Sequence, residues 1–473
     1  MTERPTRLRG RSGRDRRLAE AFESAAHHPA RAIDRLRPSR RSADLAVLTE
    51  LLAASGTLQA LAARFQRPRD PEARVGSALR HVTYAGMPHG AKSFVAAAVA
   101  RATGERLLWI ARDAEIADRV VEELEAWFGD AAAVVTLEPR SALAYERSGL
   151  IGDESAARVA ALAAWAGGEP RVLVASVQAL FQRTLSPDDL PRDPLRLAVG
   201  RRVAQDRLLA ELVRLGYEAV VEVGGRGEFV RRGGLVDFYP PGAPLPVRAE
   251  WFGDEVASLR AFDPADQRGV AGLVDVTILP ATEFLMPAAG REAWLRARLG
   301  RAARALPDRL GSDLARLVDT GDPGDAAEVW GGVLAPATAL DHVGDAIWVL
   351  DEPADVDHAT ETLWAQANER AADLVAAGEL SRAWPSVYLE PRVWRAGLHE
   401  ARTLELHWES DVAGAPPGGN PFGWREPSLP PAPLGRLGVA VARWRHDGLR
   451  VVVTSDQSAR LAELLEDAGV TAA

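Results

Sequence analysis

The 473-residue chain contains no cysteine. Disulfides and thiolate metal sites are thereby excluded, and the composition fits a reducing compartment. Of the 57 basic residues, one is lysine, Lys92; all the others are arginine. No apolar run, Phe94 to Ala100 included, approaches the length of a membrane span, and the arginine-rich start has no apolar segment behind it. Neither a transmembrane helix nor a secretory leader is expected, and a cytoplasmic location is. The nine histidines show no ligand spacing, so no metal is expected. A net charge of -9 excludes a body that binds nucleic acid by electrostatics alone. The basic charge is local, in residues 1–41 (RLRGRSGRDRR, then RLRPSRR). Three readings of that segment stay open: a disordered tail, an upstream extension, or a weak nucleic-acid tether. A chain of this length is expected to hold two to four domains.

What is abundant is strand and turn signal between Gly227 and Pro264, GEFVRRGGLVDFYPPGAPLPVRAEWFGDEVASLRAFDP. Leu235–Tyr239 is rich in branched and aromatic residues, and Pro240, Pro241, Gly242 and Pro244 end it with residues that cannot extend a ladder. In Val247–Phe252 the side chains alternate. Val247, Ala249 and Trp251 share the core face, and Arg248, Glu250 and Phe252 share the face turned to water. A large aromatic between arginine and glutamate on a solvent face is either an edge Phe covered by a loop or an interface anchor.

Before this meander, Ala43–Phe65 has helical spacing interrupted at Gly56-Thr57, and a linker follows at Pro68–Pro71. The first α/β unit contains Gly86-Met-Pro-His-Gly90-Ala91-Lys92-Ser93 ahead of an alanine-rich helix. A phosphate loop needs glycines for close backbone approach, a lysine for charge and a hydroxyl for magnesium. Here Ala91 precedes the lysine where many such loops have glycine, so the motif is degenerate. Strands at Arg106–Ala111, Ala133–Leu137 and Val172–Ala175 alternate with the helix Asp113–Phe128, a parallel-sheet pattern. After the meander, helical periodicity returns over Arg291–Leu306. The apolar strand Ala346–Leu350 then ends in Asp351-Glu352, an acidic pair like that of a helicase magnesium site or simply the turn of a buried strand. The helix Asp355–Glu379 follows. Residues 404–433 read as a linker or long loop, and helix, strand (Leu449–Thr454) and helix close a small α/β module.

The run EFVRRGGLVDFYPPGAPLPVRAEWFGDEVASLRAFDPADQR resembles the second domain of the bacterial transcription-repair coupling factors (Mfd) and of their relative UvrB. The order GMPHGAKS, LLWIARDAEIADRVVEEL, EPRSALAYERS, RVLVASVQALFQR is similar to the first RecA-like lobe of both. The tyrosine-rich damage-probing hairpin that UvrB carries between the equivalents of Glu138 and Val172 has no counterpart, since that interval holds one tyrosine, Tyr145. The resemblance implies a degenerate RecA-like parallel-sheet lobe with an inserted antiparallel α+β domain, plus a small C-terminal α/β domain. The parts are expected at 1–75 (basic extension with helices), 76–195 and 281–400 (the lobe), 196–280 (the UvrA-binding domain) and 401–473 (linker and small domain).

It also implies UvrA as partner, contacted through Arg232, Arg248 and Phe252. RNA polymerase and DNA are contacted by family regions absent from this chain. ATP and magnesium serve the family's motor, also absent, so no cofactor and no catalytic residue are expected here. Gly86, Gly90, Lys92, Ser93, Asp351 and Glu352 are then a relic of a nucleotide site, and the chain is a recruitment module, either a fragment or a naturally short homologue. The alternatives are a nucleotide hydrolase using Lys92, Ser93, Asp351 and Glu352, and a nucleic-acid binder working through the arginine-rich start.

Overall fold

The computed structural model describes residues 45–65, 81–148, 152–190, 194–410 and parts of 412–470. They fall into two units, 1–421 and 422–473. The first unit is built on a six-stranded sheet in the order His81–Tyr84, Thr403–Leu406, Ile347–Asp351, Leu107–Ala111, Val172–Ser176, Val134–Leu137. Every pairing is parallel. The three central strands LLWIA, VLVAS and IWVLD are buried along their whole length, which is why they read as continuous apolar runs. Helices His89–Thr103, Ala114–Phe128 and Gly152–Gly167 lie between the strands in sequence. Asp113 caps the second of these, its carboxylate accepting the Ile116 N–H at 2.9 Å.

The Thr403–Leu406 strand corrects the sequence reading, which gave residues from 404 onward to a linker and began a new domain at 401. Four residues are too few for a periodicity to show, and the prolines and glycines from Ala415 on dominate the window. Yet this strand lies between His81–Tyr84 and Ile347–Asp351 and joins them. The helix read over Arg291–Leu306 is also shorter, ending at Leu299, because Gly300 takes φ 54° and a 3-10 turn follows.

The expected helical pair forms as Ala46–Ala53 and Gly56–Phe65 and packs on the lobe. Leu45 N–H donates to Ala126 O at 2.8 Å and Thr49 Oγ1 to Trp127 O at 2.7 Å. No single described helix is long and apolar enough to cross a membrane; this bent pair passes such a test only when joined, and Leu58, Leu61 and Phe65 are buried in the protein.

Between the strand Val172–Ser176 and the strand Ile347–Asp351 the chain leaves the lobe and returns. Leu195–Ala198 pairs antiparallel with Asp275–Ile278, so entry and exit of the inserted domain are clamped together. The insertion carries a six-stranded sheet in the order Gly269–Leu273, Glu255–Phe262, Val247–Phe252, Leu235–Phe238, Glu228–Arg232, Glu218–Ala219. The amphipathic helix Gln205–Arg214 covers one face of it through Leu208 and Leu212.

Just past the exit strand, Glu283 enters a buried charge cluster. Arg140 donates to Glu283 at 2.6 Å and to Glu328 at 2.5 Å, and Arg158 donates to Glu283 at 2.8 Å. Two arginines and two glutamates cancel, and each is at most 5% exposed. Burial alone would raise the Glu283 carboxyl, but Arg158 and Arg140 override it and hold it below the usual range. The cluster joins the lobe, the end of the insertion and the helix Ala327–Leu334.

In the second unit the helices Gly435–His446 and Ser458–Asp467 meet through Leu437, Val441, Leu461 and Leu465. The strand expected at Leu449–Thr454 lies mostly outside the described residues.

Candidate functional site

Two places merit the term: the phosphate-loop end of the parallel sheet, and the open face of the inserted sheet.

At the first, the structure gathers Lys92, Ser93, Asp351 and Glu352 as the motif reading expected, with a different consequence. The Lys92 ammonium is 1% exposed and sits 2.7 Å from Asp351 Oδ1, with a second, short ion pair to Glu352. Glu352 adopts φ 54°, a left-handed conformation costly for a residue with a Cβ, and in it the carboxylate also accepts the Trp408 N–H at 2.8 Å. Ser93 Oγ donates to Glu123 at 2.5 Å and accepts from Trp127 Nε1 at 3.1 Å. Burial pushes the Glu123 carboxyl up, against the pull of that hydroxyl.

The loop backbone is engaged as well. Gly86 N–H donates to Glu409 O at 2.7 Å, Met87 N–H to His407 O at 2.9 Å and Ala91 N–H to Pro88 O at 2.8 Å. His89 stacks on Trp408 with ring centroids 5.0 Å apart. The segment 407–409, continuing from the Thr403–Leu406 strand, therefore lies across the loop as a strap. In this arrangement the lysine, the hydroxyl and three loop N–H groups are engaged within the chain. His89, Asp351 and Glu352 bring ligand atoms within 4.8 Å of one another, but the two carboxylates already share the Lys92 charge. Sequence reasoning singled out Ala91 in this loop; the strap across it is a feature that no local motif could show.

At the second place, the strand Val247–Phe252 alternates buried and open as expected, with Trp251 in the core, its indole N–H on Val203 O at 2.8 Å. A bulge beside Glu250 and Trp251 shifts the register toward Glu255–Phe262 without disturbing that alternation. On the outward face the pairings run Val230, Asp237, Arg248, Arg260 in one row and Arg232, Leu235, Glu250, Ser258 in the next. Arg232, Arg248 and Phe252 thus share a face. Val220, Val223, Val230, Tyr239, Ala243 and Phe262 cover the far end of it, leaving the end near the Gly233-Gly234 turn open.

The three residues are placed differently on that face. Phe252 is 84% exposed, in the hairpin turn. Arg232 is exposed, its Nη2 donating to Val221 O at 3.0 Å. Arg248 is 27% exposed and committed: it forks onto the buried carboxylate of Asp237 at 2.7 and 2.9 Å and lies over the Phe262 ring at 4.8 Å. Asp237 is the residue that sequence reasoning missed. The signal was available, since an acid within a run of strand residues otherwise apolar (LVDFY) requires a buried cation.

Residues 195–284 match the UvrB interaction domain family. The chain is similar to the transcription-repair-coupling factor of Myxococcus xanthus, 32% identical over 323 residues, which is 62% of this chain and 26% of the relative. It is 36% identical to that of Mycobacterium tuberculosis over 244 residues, 49% of this chain and 19% of the relative. With that of Escherichia coli it is 38% identical over 113 residues, 24% of this chain and 10% of the relative. The matches span about a quarter or less of these curated relatives. The family likeness read from the EFVRRGG and EWFGDE segments and the mixed α/β architecture expected from it are both found.

Proposed function

We propose that this chain is a recruitment module of transcription-coupled nucleotide excision repair, docking UvrA on the open face of its inserted domain. The observation that carries this reading is Phe252: a phenylalanine 84% exposed at the uncovered end of a UvrB interaction domain. Leaving an aromatic ring in water forgoes roughly 2 kcal/mol of burial, and a partner that covers it recovers that. Arg248, pinned by Asp237 and Phe262, presents its remaining edge without further loss of side-chain freedom, and Arg232 flanks the open end.

In this reading the relic at Lys92 turns over no nucleotide, and the protein acts in the bacterial cytoplasm. RNA polymerase and DNA are engaged by parts of the coupling factors beyond the region matched here. The test is a titration of UvrA against the chain and its Phe252→Ala variant. Loss of an aromatic hot spot costs about 2 kcal/mol, on the order of thirtyfold in affinity, with the melting midpoint unchanged. Equal affinities for the two proteins would refute the docking face. ATP hydrolysis by the purified chain that disappears in Lys92→Ala would favour the hydrolase reading instead.

A further inference from the structure

At the end of the parallel sheet opposite the phosphate loop the chain forms a cleft of about 480 Å³. Its walls include residues 104–106, ahead of the strand Leu107–Ala111, Trp165 and Ala166 at the end of the helix Gly152–Gly167, and 341–346, ahead of the strand Ile347–Asp351. Arg106 is half-buried in this wall. Its guanidinium lies over the Trp165 ring, 3.3 Å from the centroid, and donates through Nη2 to Trp165 O at 2.5 Å and through Nε to Pro170 O at 3.2 Å. Nη1 has no partner among the described residues and stays open to solvent. No acid faces the group: burial, and then the nearby Arg171, pull its pKa down to about 10 with nothing opposing them. Arg171 donates to Gly104 O at 3.3 Å and has no ion pair among the described residues either.

The acids of the cleft are committed elsewhere. Glu105 takes Arg402 at 3.1 Å. Asp341 accepts the Thr338 N–H at 2.8 Å and its hydroxyl at 3.2 Å, and lies in the field of Arg183. Asp345 has a partner of its own. Burial holds His342 below its usual pKa, so the ring is neutral; because Leu185 O can only accept, their 2.9 Å contact puts the proton on Nε2 and leaves Nδ1 an acceptor. A cation drawn partly out of water without a counter-ion loses hydration that a bound anion restores through charge-assisted hydrogen bonds. The guanidinium is the side chain best shaped for a phosphate or a carboxylate, and the cleft has the volume of a small-molecule site.

We infer that this cleft binds a small hydroxylated organic anion, its phosphate or carboxylate on Arg106 Nη1 and its hydroxyl donating to His342 Nδ1. The site belongs to the lobe and is independent of the docking face on the inserted domain, so neither reading depends on the other.

The experiment is a calorimetric titration at fixed ionic strength of glycerol 3-phosphate, malate and, as the uncharged control, glycerol, against the full chain and two variants. Arg106→Gln removes the charge. Ala166→Trp, at an exposed position on the cleft wall, fills the cleft and deletes no side-chain hydrogen bond. Melting curves check that each folds. At least one of the two anions is expected to bind the parent, and which one does so assigns phosphate or carboxylate; glycerol is expected not to bind. Each variant should weaken that binding about tenfold or more. Anions held by the arginine-rich start of the chain would bind all three proteins alike, and that result would overturn the inference. So would a parent that binds neither anion, a parent that binds glycerol as well as the anions, or undiminished binding in either folded variant. Should Arg106→Gln fail to fold, Ala166→Trp decides alone by the same criterion.

Discussion

Replacing Lys92 by methionine separates the two roles open to the only lysine in the chain. Methionine keeps the length of the stem and removes the charge. In the structure the ammonium is 1% exposed, 2.7 Å from Asp351, itself 6% exposed, and paired with Glu352 at 22% exposure. At an effective dielectric constant of about 20, one such pair attracts by roughly 6 kcal/mol. Desolvation of the ammonium and of Asp351 offsets much of that, so the intact set is worth little net. Removing only the cation keeps the cost and deletes the gain. The expected loss is about 3–5 kcal/mol, mostly from Asp351, because Glu352 retains solvent and the Trp408 N–H. Lys92→Met/Asp351→Asn should recover more than about 1 kcal/mol of that loss. The assay is urea unfolding, with and without magnesium ATP. A ligand at a hundred times its Kd would add about 2.7 kcal/mol, and a lysine engaged as seen here predicts no such gain. A Lys92→Met chain as stable as the parent, together with an ATP gain in the parent that the variant lacks, would refute the reasoning.

Trp251→Ala should destabilise the inserted domain by about 3–5 kcal/mol, since it empties a core position and frees the Val203 carbonyl, whereas Phe252→Ala should stay within about 0.5 kcal/mol; melting curves of the pair check both. Glu283→Gln leaves two buried arginines facing one glutamate and should cost about 3–5 kcal/mol. Because the Glu283 pKa lies below its unfolded value, its stabilisation is full above about pH 4.5 and is lost as pH falls through the folded value. The acid limb of a stability–pH curve should therefore be shallower in Glu283→Gln, and an unchanged limb would contradict the assignment. Deleting residues 1–41, which have too few apolar side chains to join a core, should leave the melting midpoint and UvrA binding unchanged.

Much of the fold follows from short-range pattern, and the sequence alone determined it. The strands LLWIA, VLVAS and IWVLD are apolar throughout because both their faces are covered, and VRAEWF alternates because one face is not. The residues gathered around Lys92 could be named from their motifs, and the likeness to the coupling factors from one contiguous run. Tertiary structure decided what depends on partners far along the chain. Lys92 meets Asp351 across 259 residues, and Arg140 meets Glu328 across 188. No periodicity encodes which acid a given arginine finds. The strap over the phosphate loop comes from residues 407–409, in a stretch whose composition reads as linker, and it joins the lobe only because four residues before it complete a sheet begun at His81. On the outward face of the inserted sheet, alternation determined which side chains point outward. The cross-strand register then decided that Arg248 is held by Asp237, because a ladder brings together residues that the sequence keeps apart.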